Sequence, residues 1–209
     1  IVHEEWIDVT KLILPKPMLP GENIVIETPF YVKIPKVISR LGHIGKHYEI
    51  TQWYPKPAVY DREGWHPMPY LNMGEFYSEF GSFDVSITLP KEYRIMATGD
   101  LIDGELEYAW LDSLAEEGDS LHAMEEKALK KALKELTQGK KKKKNFITKI
   151  QSFFKKEVKK EEPKKEVELK TVHFYQENVH DFAWFADKTW IVRKGTLYLA
   201  DSTREVTLW

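Results

Sequence analysis

The chain has 209 residues, 42% hydrophobic and 13% aromatic, which is enough apolar surface for a core in one large or two small domains. Its formal net charge of −2 argues against a general nucleic-acid binder, which normally presents a strongly basic face. The lack of cysteine excludes disulfides, thiolate zinc sites and cysteine nucleophiles. No apolar run approaches the roughly 20 residues that cross a bilayer, and the first residues lack a signal-peptide pattern, so the compartment is left open.

The first hundred residues are predicted to form antiparallel strands joined by proline and glycine turns. The segment "LILPKPMLPGENIVIETPFYVKIP", residues 12–35, alternates short β-branched or aromatic runs with prolines, which favours edge strands over helices. "FDVSITLP", residues 83–90, has the period of two that is typical of a strand with one buried face. "RIMATGDLIDGELEYAW", residues 94–110, predicts a further strand or hairpin. We therefore expect a mainly β fold with sandwich corners, whose first part spans residues 1–110.

A helical, lysine-rich insertion is predicted over residues 111–166. Apolar residues from Leu111 onward recur at three- and four-residue spacing and indicate one or two helices, with Ser113 and Glu116 as a capping box and Gly139 as a stop. A basic run and a second short amphipathic helix follow. The apolar side of that second helix carries Phe146, Ile147, Ile150, Phe153, Phe154 and Val158.

The closing strands of the same β domain are predicted over residues 167–209. This stretch is rich in Val, Thr, Phe, Tyr and Trp, and turns are expected at residues 194–195 and 201–202. The insertion would thus lie between two strands of one β domain.

The lysine-rich segment permits two interpretations. As a basic amphipathic helix it would suit an anionic membrane surface or an acidic partner. Alternatively, its aromatic residues pack the helix onto the domain while the lysines remain solvated. The second interpretation is favoured because interleaved glutamates weaken attraction to anionic lipid.

Familiar catalytic patterns are weak or missing. "HIGKH" spaces His43 and His47 four apart, but Gly45 argues against the helix that would bring both to one metal, so loop or surface histidines are expected. The sequence has no Gly-x-Ser-x-Gly elbow and no glycine-rich phosphate loop. Glu75 and Glu79 leave open a carboxylate pair for glycoside hydrolysis, although such neighbours are usually just solvated.

The run from residue 32 to residue 101, above all "TQWYPKPAVYDREGWHPMPY", closely resembles the N-terminal domain of zinc metallopeptidases of the aminopeptidase N family, the gluzincins of peptidase family M-one. It is most similar to the large members typical of Bacteroides and its relatives. "NVHDFAWFADKTWIV", residues 178–192, resembles the later part of that domain. Together the resemblance covers roughly residues 10–105 and 167–209.

This resemblance implies a saddle-shaped β-sandwich that precedes a thermolysin-like zinc domain. In the family, zinc is held by two histidines of a His-Glu-x-x-His helix and a downstream glutamate, while a Gly-x-Met-Glu motif captures the amino terminus of the substrate. None of these motifs occurs in this chain. We therefore expect a truncated, non-catalytic domain without a metal or cofactor of its own, and zinc in the catalytic domain of a longer parent protein.

The resemblance also assigns candidate site residues. Gln52 stands in a Thr-Gln motif whose glutamine lies at the rim of the first substrate pocket in the family, and Tyr54 is grouped with it as substrate-binding. The alternative for Gln52 is that it satisfies buried backbone groups in a turn. Trp65 and Tyr70 are expected to pack against the catalytic domain, since aromatic residues are enriched where domains meet.

The expected function is thus a non-catalytic contribution to peptide hydrolysis, namely a substrate-pocket edge and interdomain packing. The expected partners are the chain's own catalytic domain and a peptide substrate, without nucleic acid. By resemblance the location would be periplasmic or at the cell envelope. The alternative is a stand-alone binding module whose basic insertion contacts a membrane surface or an acidic partner.

Overall fold

The structure is a computed structural model that describes residues 8–36, 40–69, 74, 76–137, 167–198 and 205–208. Within these ranges the chain is mainly β, with one long helix, and the strand pairs of defined register run antiparallel. The mainly β class and the antiparallel pairing are therefore confirmed. The elements are β1 (Leu41–Ile44), β2 (His47–Ile50), β3 (Val59–Asp61), β4 (Gly64–His66), β5 (Gly81–Pro90), β6 (Arg94–Ala97), β7 (Asp100–Ile102), α1 (Glu105–Thr137), β8 (Leu169–Val179), β9 (Trp184–Asp187), β10 (Gly195–Tyr198) and β11 (Glu205–Leu208).

The chain divides into two compact units. Unit 1 contains residues 1–87, 93–102 and 173–188, and unit 2 contains residues 88–92, 103–172 and 189–209. The candidate site residues Gln52, Tyr54 and Trp65 belong to unit 1, whereas α1 belongs to unit 2.

Unit 1 is built on a four-stranded sheet in the order β1-β2-β9-β6. A tight turn joins β1 to β2, and Gly45 takes the positive φ of 58° that glycine adopts without steric cost. "HIGKH" is therefore a β-hairpin rather than a helix, and His43 and His47 lie on its strands, not in loops. Ile50 and Ala186 of the central strands are each only 1% exposed and form part of the core.

A second sheet has the order β5-β8-β7. Strand β5 confirms the prediction for residues 83–90, since its apolar side chains alternate with exposed polar ones and become buried at Ile87 and Leu89. The prediction for the segment before α1 is only partly correct. Strands β6 and β7 are present, but residues 105–110 form the first turns of α1 instead of a strand.

The early start of α1 has a local physical reason. Glu105 and Glu107 place carboxylates in the first turn, where they complement the positive end of the helix dipole. The predicted capping box is wrong, because Ser113 lies inside the helix and donates its hydroxyl to the Trp110 carbonyl. In the described part of the chain, no helix has both the length and the apolar composition that a membrane span requires.

The edge strands predicted over residues 12–35 are wrong. As described, this segment is extended without regular strand pairing, and an isolated bridge between Lys36 and His43 lies just after it. Apolar side chains here stay in solvent, with Val25 82% and Tyr31 87% exposed. Prolines, which donate no backbone hydrogen bond, interrupt the run at Pro15, Pro17, Pro20, Pro29 and Pro35.

Unit 2 packs the first half of α1 onto the segment after β9. Leu111 and Ala115 are buried with Val192. Gly118 permits the close approach, because a Cβ at that position would lie 2.4 Å from the Val192 carbonyl oxygen. β10 and β11 pair antiparallel in a two-stranded sheet of unit 2, and the expectation that residues 167–209 close the same β domain as residues 1–110 stays a prediction. The lysine-rich residues 138–166, Gly139 and the turn at 201–202 lie outside the described residues.

Candidate functional site

The aromatic side chains at the start of the "TQWYPK" run point into a cluster in unit 1. Trp53 and Tyr54 meet edge to face at 5.5 Å between ring centroids, and Tyr54 meets Phe83 in the same way at 5.5 Å. Phe83 in turn contacts Phe182, which is fully buried. The Trp53 indole N–H donates to the Phe182 carbonyl oxygen at 3.1 Å. These two aromatic residues are therefore part of the packing.

The Tyr54 hydroxyl is engaged by a single carboxylate. It donates to Asp181 Oδ1 at 2.9 Å, and the same oxygen accepts from Lys56 Nζ and from the Phe182 backbone N–H, both at 2.9 Å. Burial, followed by the hydrogen bond to Asp181, raises the pKa of Tyr54 well above its usual value. The phenol thus remains a protonated donor across the physiological range. The described contacts of Tyr54 are those of a residue that supports its neighbours, and its contact with substrate stays a prediction.

Two structural features of Gln52 are energetically unfavourable. Its φ is 52°, in the left-handed region that side-chain-bearing residues seldom occupy. Its Oε1 is buried and finds no hydrogen-bond partner among the residues that the structure describes. An unsatisfied buried acceptor costs about 1–3 kcal/mol, and backbone strain of this kind is concentrated at binding and catalytic sites. The alternative was that Gln52 satisfies buried backbone groups in a turn. Its Oε1 does not support this, because it accepts no hydrogen bond from the described residues.

The β3–β4 hairpin presents two aromatic side chains to solvent. Tyr60 pairs with Trp65 across the strands, with ring centroids 4.9 Å apart, and the two residues are 66% and 68% exposed. Val59, on the opposite face, is only 1% exposed. Because side chains alternate along a strand, burying Val59 forces Tyr60 outward. We call the Tyr60 and Trp65 side chains the hairpin patch.

Polar contacts make the hairpin rigid. His66 Nε2 donates to Asp61 Oδ1 at 2.8 Å, and the same carboxylate oxygen accepts the Glu63 backbone N–H at 2.8 Å. The hydrogen bond from His66, followed by the one from Glu63, lowers the pKa of Asp61. The turn is therefore fixed by side chains from both strands, and Gly64 takes the positive φ of 108° at its end.

The sequence grouped Trp65 with Tyr70, but the structure groups Trp65 with Tyr60. Tyr70 lies outside the described residues, so its expected packing role stays a prediction. Tyr60 could have been found from the sequence. It lies two residues before Arg62, and Trp65 lies two residues after Glu63, so the two aromatic residues are placed symmetrically about the turn. Asp181, which organises the Tyr54 region, was missed because a single aspartate 127 positions away gives no local pattern.

Unit 1 also contains a polar cluster of one histidine and two carboxylates. His47 lies between two carboxylates, with Nδ1 3.1 Å from Asp187 Oδ2 and Nε2 3.2 Å from Glu49 Oε1. Glu75 of the open carboxylate-pair alternative lies outside the described residues. Across the ranges that the structure describes, no group of three or more His, Asp or Glu residues could hold a metal ion.

Comparison with known proteins gives no match. No protein-family model, curated protein or solved structure corresponds to this chain. Gln52 and the hairpin patch are thus the features from which a function is inferred.

Proposed function

We propose that this chain is a non-catalytic β domain of a zinc-dependent aminopeptidase, where it supplies an interdomain surface and one edge of the substrate pocket. The observation that carries the proposal is the hairpin patch. Tyr60 and Trp65 are both large, both mostly exposed, and held side by side on a hairpin whose turn is fixed by His66 and Asp61. Exposed aromatic side chains in a rigid setting are typical of surfaces that another domain covers.

The energy available at the hairpin patch is sufficient for domain docking. Each aromatic side chain buries about 150–250 Å² when fully covered, and each Å² of apolar surface removed from water contributes roughly 25 cal/mol. Covering the exposed parts of both rings would contribute on the order of 5 kcal/mol before the costs of association. Rigidity reduces the ordering cost, because the rings are already held at 4.9 Å.

Gln52 is the proposed edge of the substrate pocket. Its amide has both donor and acceptor groups, and a peptide N–H is the complement of the Oε1 that has no partner. Tyr54 and Trp53 lie directly after it and are fixed by Asp181 and Phe182. In this proposal Gln52 meets the peptide, while Tyr54 is held by its hydrogen bond to Asp181.

The remaining parts of the proposal follow from the resemblance. The domain would have the saddle-like β-sandwich arrangement, to which the antiparallel sheets described above are suited. Zinc and the groups that act on the scissile bond would belong to the catalytic domain of the parent protein. This chain alone would hydrolyse no peptide.

The proposal can be tested with the parent gene and two variants. The reading frame after Trp209 should encode a His-Glu-x-x-His helix, and the polypeptide it encodes should bind this chain when the two are produced separately. Trp65→Ala should weaken that binding about 100-fold, which corresponds to about 2.7 kcal/mol. Tyr31→Ala is the control, because Tyr31 is 87% exposed but lies in the extended segment, outside the hairpin patch. A downstream frame without the zinc motif, or binding that is indifferent to Trp65, would overturn the proposal.

The alternative function as a stand-alone binding module depends on the lysine-rich segment. Residues 138–166, which would carry it, lie outside the described residues. Contact with a membrane surface or an acidic partner therefore stays a prediction.

A further inference from the structure

Residues 23–36 of unit 1 form an extended segment that lies in solvent. All of them except Ile34 are exposed, including the apolar residues Val25 and Tyr31. Across the described part of the chain, the backbone of residues 23–34 makes no hydrogen bond to another backbone group. Unpaired N–H and C=O groups beside exposed β-branched side chains are typical of a free sheet edge, to which another strand can add. We call residues 23–36 the edge segment.

At its end, the edge segment contacts strand β1 of its own unit. The Pro35 carbonyl oxygen accepts the His43 N–H at 2.9 Å, and Lys36 forms the isolated parallel bridge with His43. In an extended strand, the N–H and C=O groups of successive residues point to opposite sides. The odd-numbered residues therefore share the side of Pro35, which we call the inner side. The even-numbered residues direct their backbone groups to the opposite, outer side.

The prolines of the edge segment lie where they do not interrupt pairing on the outer side. Pro29 and Pro35 are odd-numbered, so the missing N–H of each falls on the inner side. Every even-numbered residue from Ile24 to Ile34 keeps its N–H. Proline is tolerated in a strand when its nitrogen points away from the partner strand. The outer side can therefore form a full antiparallel ladder.

The charges of the edge segment are complementary to themselves about Phe30. A two-fold axis at Phe30 places Glu27 of one copy opposite Lys33 of a second copy, and the reverse. Both side chains are exposed, and neither forms an ion pair with the described residues of its own chain. Moving the axis by one residue places Glu27 opposite Tyr31 or Pro35 and leaves both charges unpaired. The charges thus favour one register.

We propose that two copies of this chain form a dimer by antiparallel pairing of the outer sides of their edge segments, with Phe30 on the two-fold axis. Opposite residues on the outer side exchange two hydrogen bonds for each pair. The proposal does not depend on the proposed aminopeptidase function. The pairs on the outer side are Ile26 with Ile34, Thr28 with Val32 and Phe30 with Phe30 of the second copy.

The size of this interface determines the expected strength of the dimer. A stable interface usually involves about 20–30 residues on each side, and the edge segment supplies about half that number. Contacts within unit 1 lower the ordering cost, because the Phe30 ring lies 6.0 Å from the Trp53 ring and Pro35 is bound to His43. We therefore expect a dissociation constant in the micromolar range.

Charge reversal tests the register of the pairing. Sedimentation velocity of the full chain should show a monomer that becomes a dimer between roughly 1 and 200 µM. Lys33→Glu places like charges opposite each other twice in the dimer and should weaken it at least about tenfold. The double variant Glu27→Lys with Lys33→Glu exchanges the two charges and should restore the dimer. Lys16→Glu is the matched control, because it changes the net charge equally outside the edge segment.

Two results of this experiment would overturn the proposal. A monomer at every concentration would leave the edge segment to a different partner. A dimer that Lys33→Glu does not weaken, or that the double variant does not restore, would exclude the pairing of Glu27 with Lys33.

Proline substitutions test which side of the edge segment pairs, independently of charge. Val32→Pro removes an outer N–H twice in the dimer and should abolish it, whereas Tyr31→Pro removes an inner N–H and should retain it. Neither N–H has a backbone partner in the described part of the chain, so thermal unfolding of the monomer should be unchanged in both variants. Equal dimerisation of the two variants, or its loss in both, also overturns the proposal.

Discussion

The Tyr54 hydroxyl and the Asp181 carboxylate, 127 positions apart, are joined by a hydrogen bond of 2.9 Å. This contact joins the stretch around "TQWYPK" to the stretch around "NVHDFAW". Asp181 also accepts from Lys56 and from the Phe182 backbone N–H. Removing one of the three donors to Asp181 should therefore weaken, but not abolish, the contact between these two stretches.

We expect Tyr54→Phe to lower the free energy of unfolding by about 1–2 kcal/mol, because a hydrogen bond to a charged group is lost while the ring packing is kept. Urea denaturation of the isolated chain measures this change. Tyr60→Phe is the control, since Tyr60 is 66% exposed and should change stability by less than about 0.5 kcal/mol. Equal effects of the two substitutions would contradict the role assigned to Asp181.

The raised pKa of Tyr54 predicts a loss of stability at high pH. Because burial and Asp181 raise the pKa in the folded state, the unfolded state releases this proton first, at about pH 10. The contribution is fully present below about pH 10 and is lost progressively as the pH rises above it. The free energy of unfolding should therefore fall more steeply above about pH 10 in the unmodified chain than in Tyr54→Phe. Parallel pH profiles would refute this prediction.

At Gln52 we expect glycine to be tolerated better than alanine. Both substitutions remove the Oε1 that has no partner, but only glycine relieves the left-handed backbone, so Gln52→Gly should be about 1 kcal/mol more stable than Gln52→Ala. Thr51, which has no positive φ, is the control, and there alanine should be the more stable replacement. The same order at both positions would show that strain at Gln52 has no energetic weight.

Trp65→Ala should distinguish packing of Trp65 against the proposed catalytic domain from a structural role within this chain. In the isolated chain its 68% exposure predicts a change of less than about 0.5 kcal/mol in the free energy of unfolding. If this chain is part of the proposed longer aminopeptidase, the same substitution in that protein should cost on the order of 3 kcal/mol, because removing a covered aromatic side chain leaves a cavity. Thermal denaturation of both proteins measures the difference, and an unaltered melting temperature in the parent would count against the interdomain surface.

Two ion pairs of unit 2 should differ strongly in their contribution. Lys170 and Glu107 have side chains only 13% and 12% exposed, and Lys170 also lies over the Trp110 ring. Glu107→Gln should cost about 3 kcal/mol because it removes the Glu107 charge from its close pair with a mostly buried lysine. Glu168→Gln removes the partner of Lys91 in a pair that is 76% and 69% exposed, and should cost less than about 0.5 kcal/mol. Chemical denaturation should show this contrast, and similar losses would refute it.

The parts of the fold that local patterns determine could be predicted from the sequence. Alternation predicted β5, and glycine correctly excluded a helix at "HIGKH". The segment from 12 to 35 was wrongly predicted because β-branched runs show strand propensity without showing whether a partner strand exists. Residues 105–110 were assigned to a strand although Glu105 and Glu107 favour a helix start there, and the contact of Lys170 with Glu107, which supports the same start, is distant in sequence.

The features of the candidate site likewise divide into those that the sequence predicted and those that depend on the folded structure. The Thr-Gln motif and the tryptophan of the hairpin were visible in the sequence. The left-handed conformation of Gln52 and the partner of Tyr54 were not, because the first depends on backbone geometry and the second on a residue that is distant in sequence.

The close approach at Gly118 fixes the position of α1 along its own axis. The notch that this glycine leaves in the helix surface admits the Val192 carbonyl oxygen, and the neighbouring positions hold the larger side chains Glu117 and Asp119. A shift of one residue in either direction would place one of these acidic groups against a carbonyl oxygen, with both steric and electrostatic repulsion. The helix therefore has one permitted register, set by the single position in its middle that has no side chain.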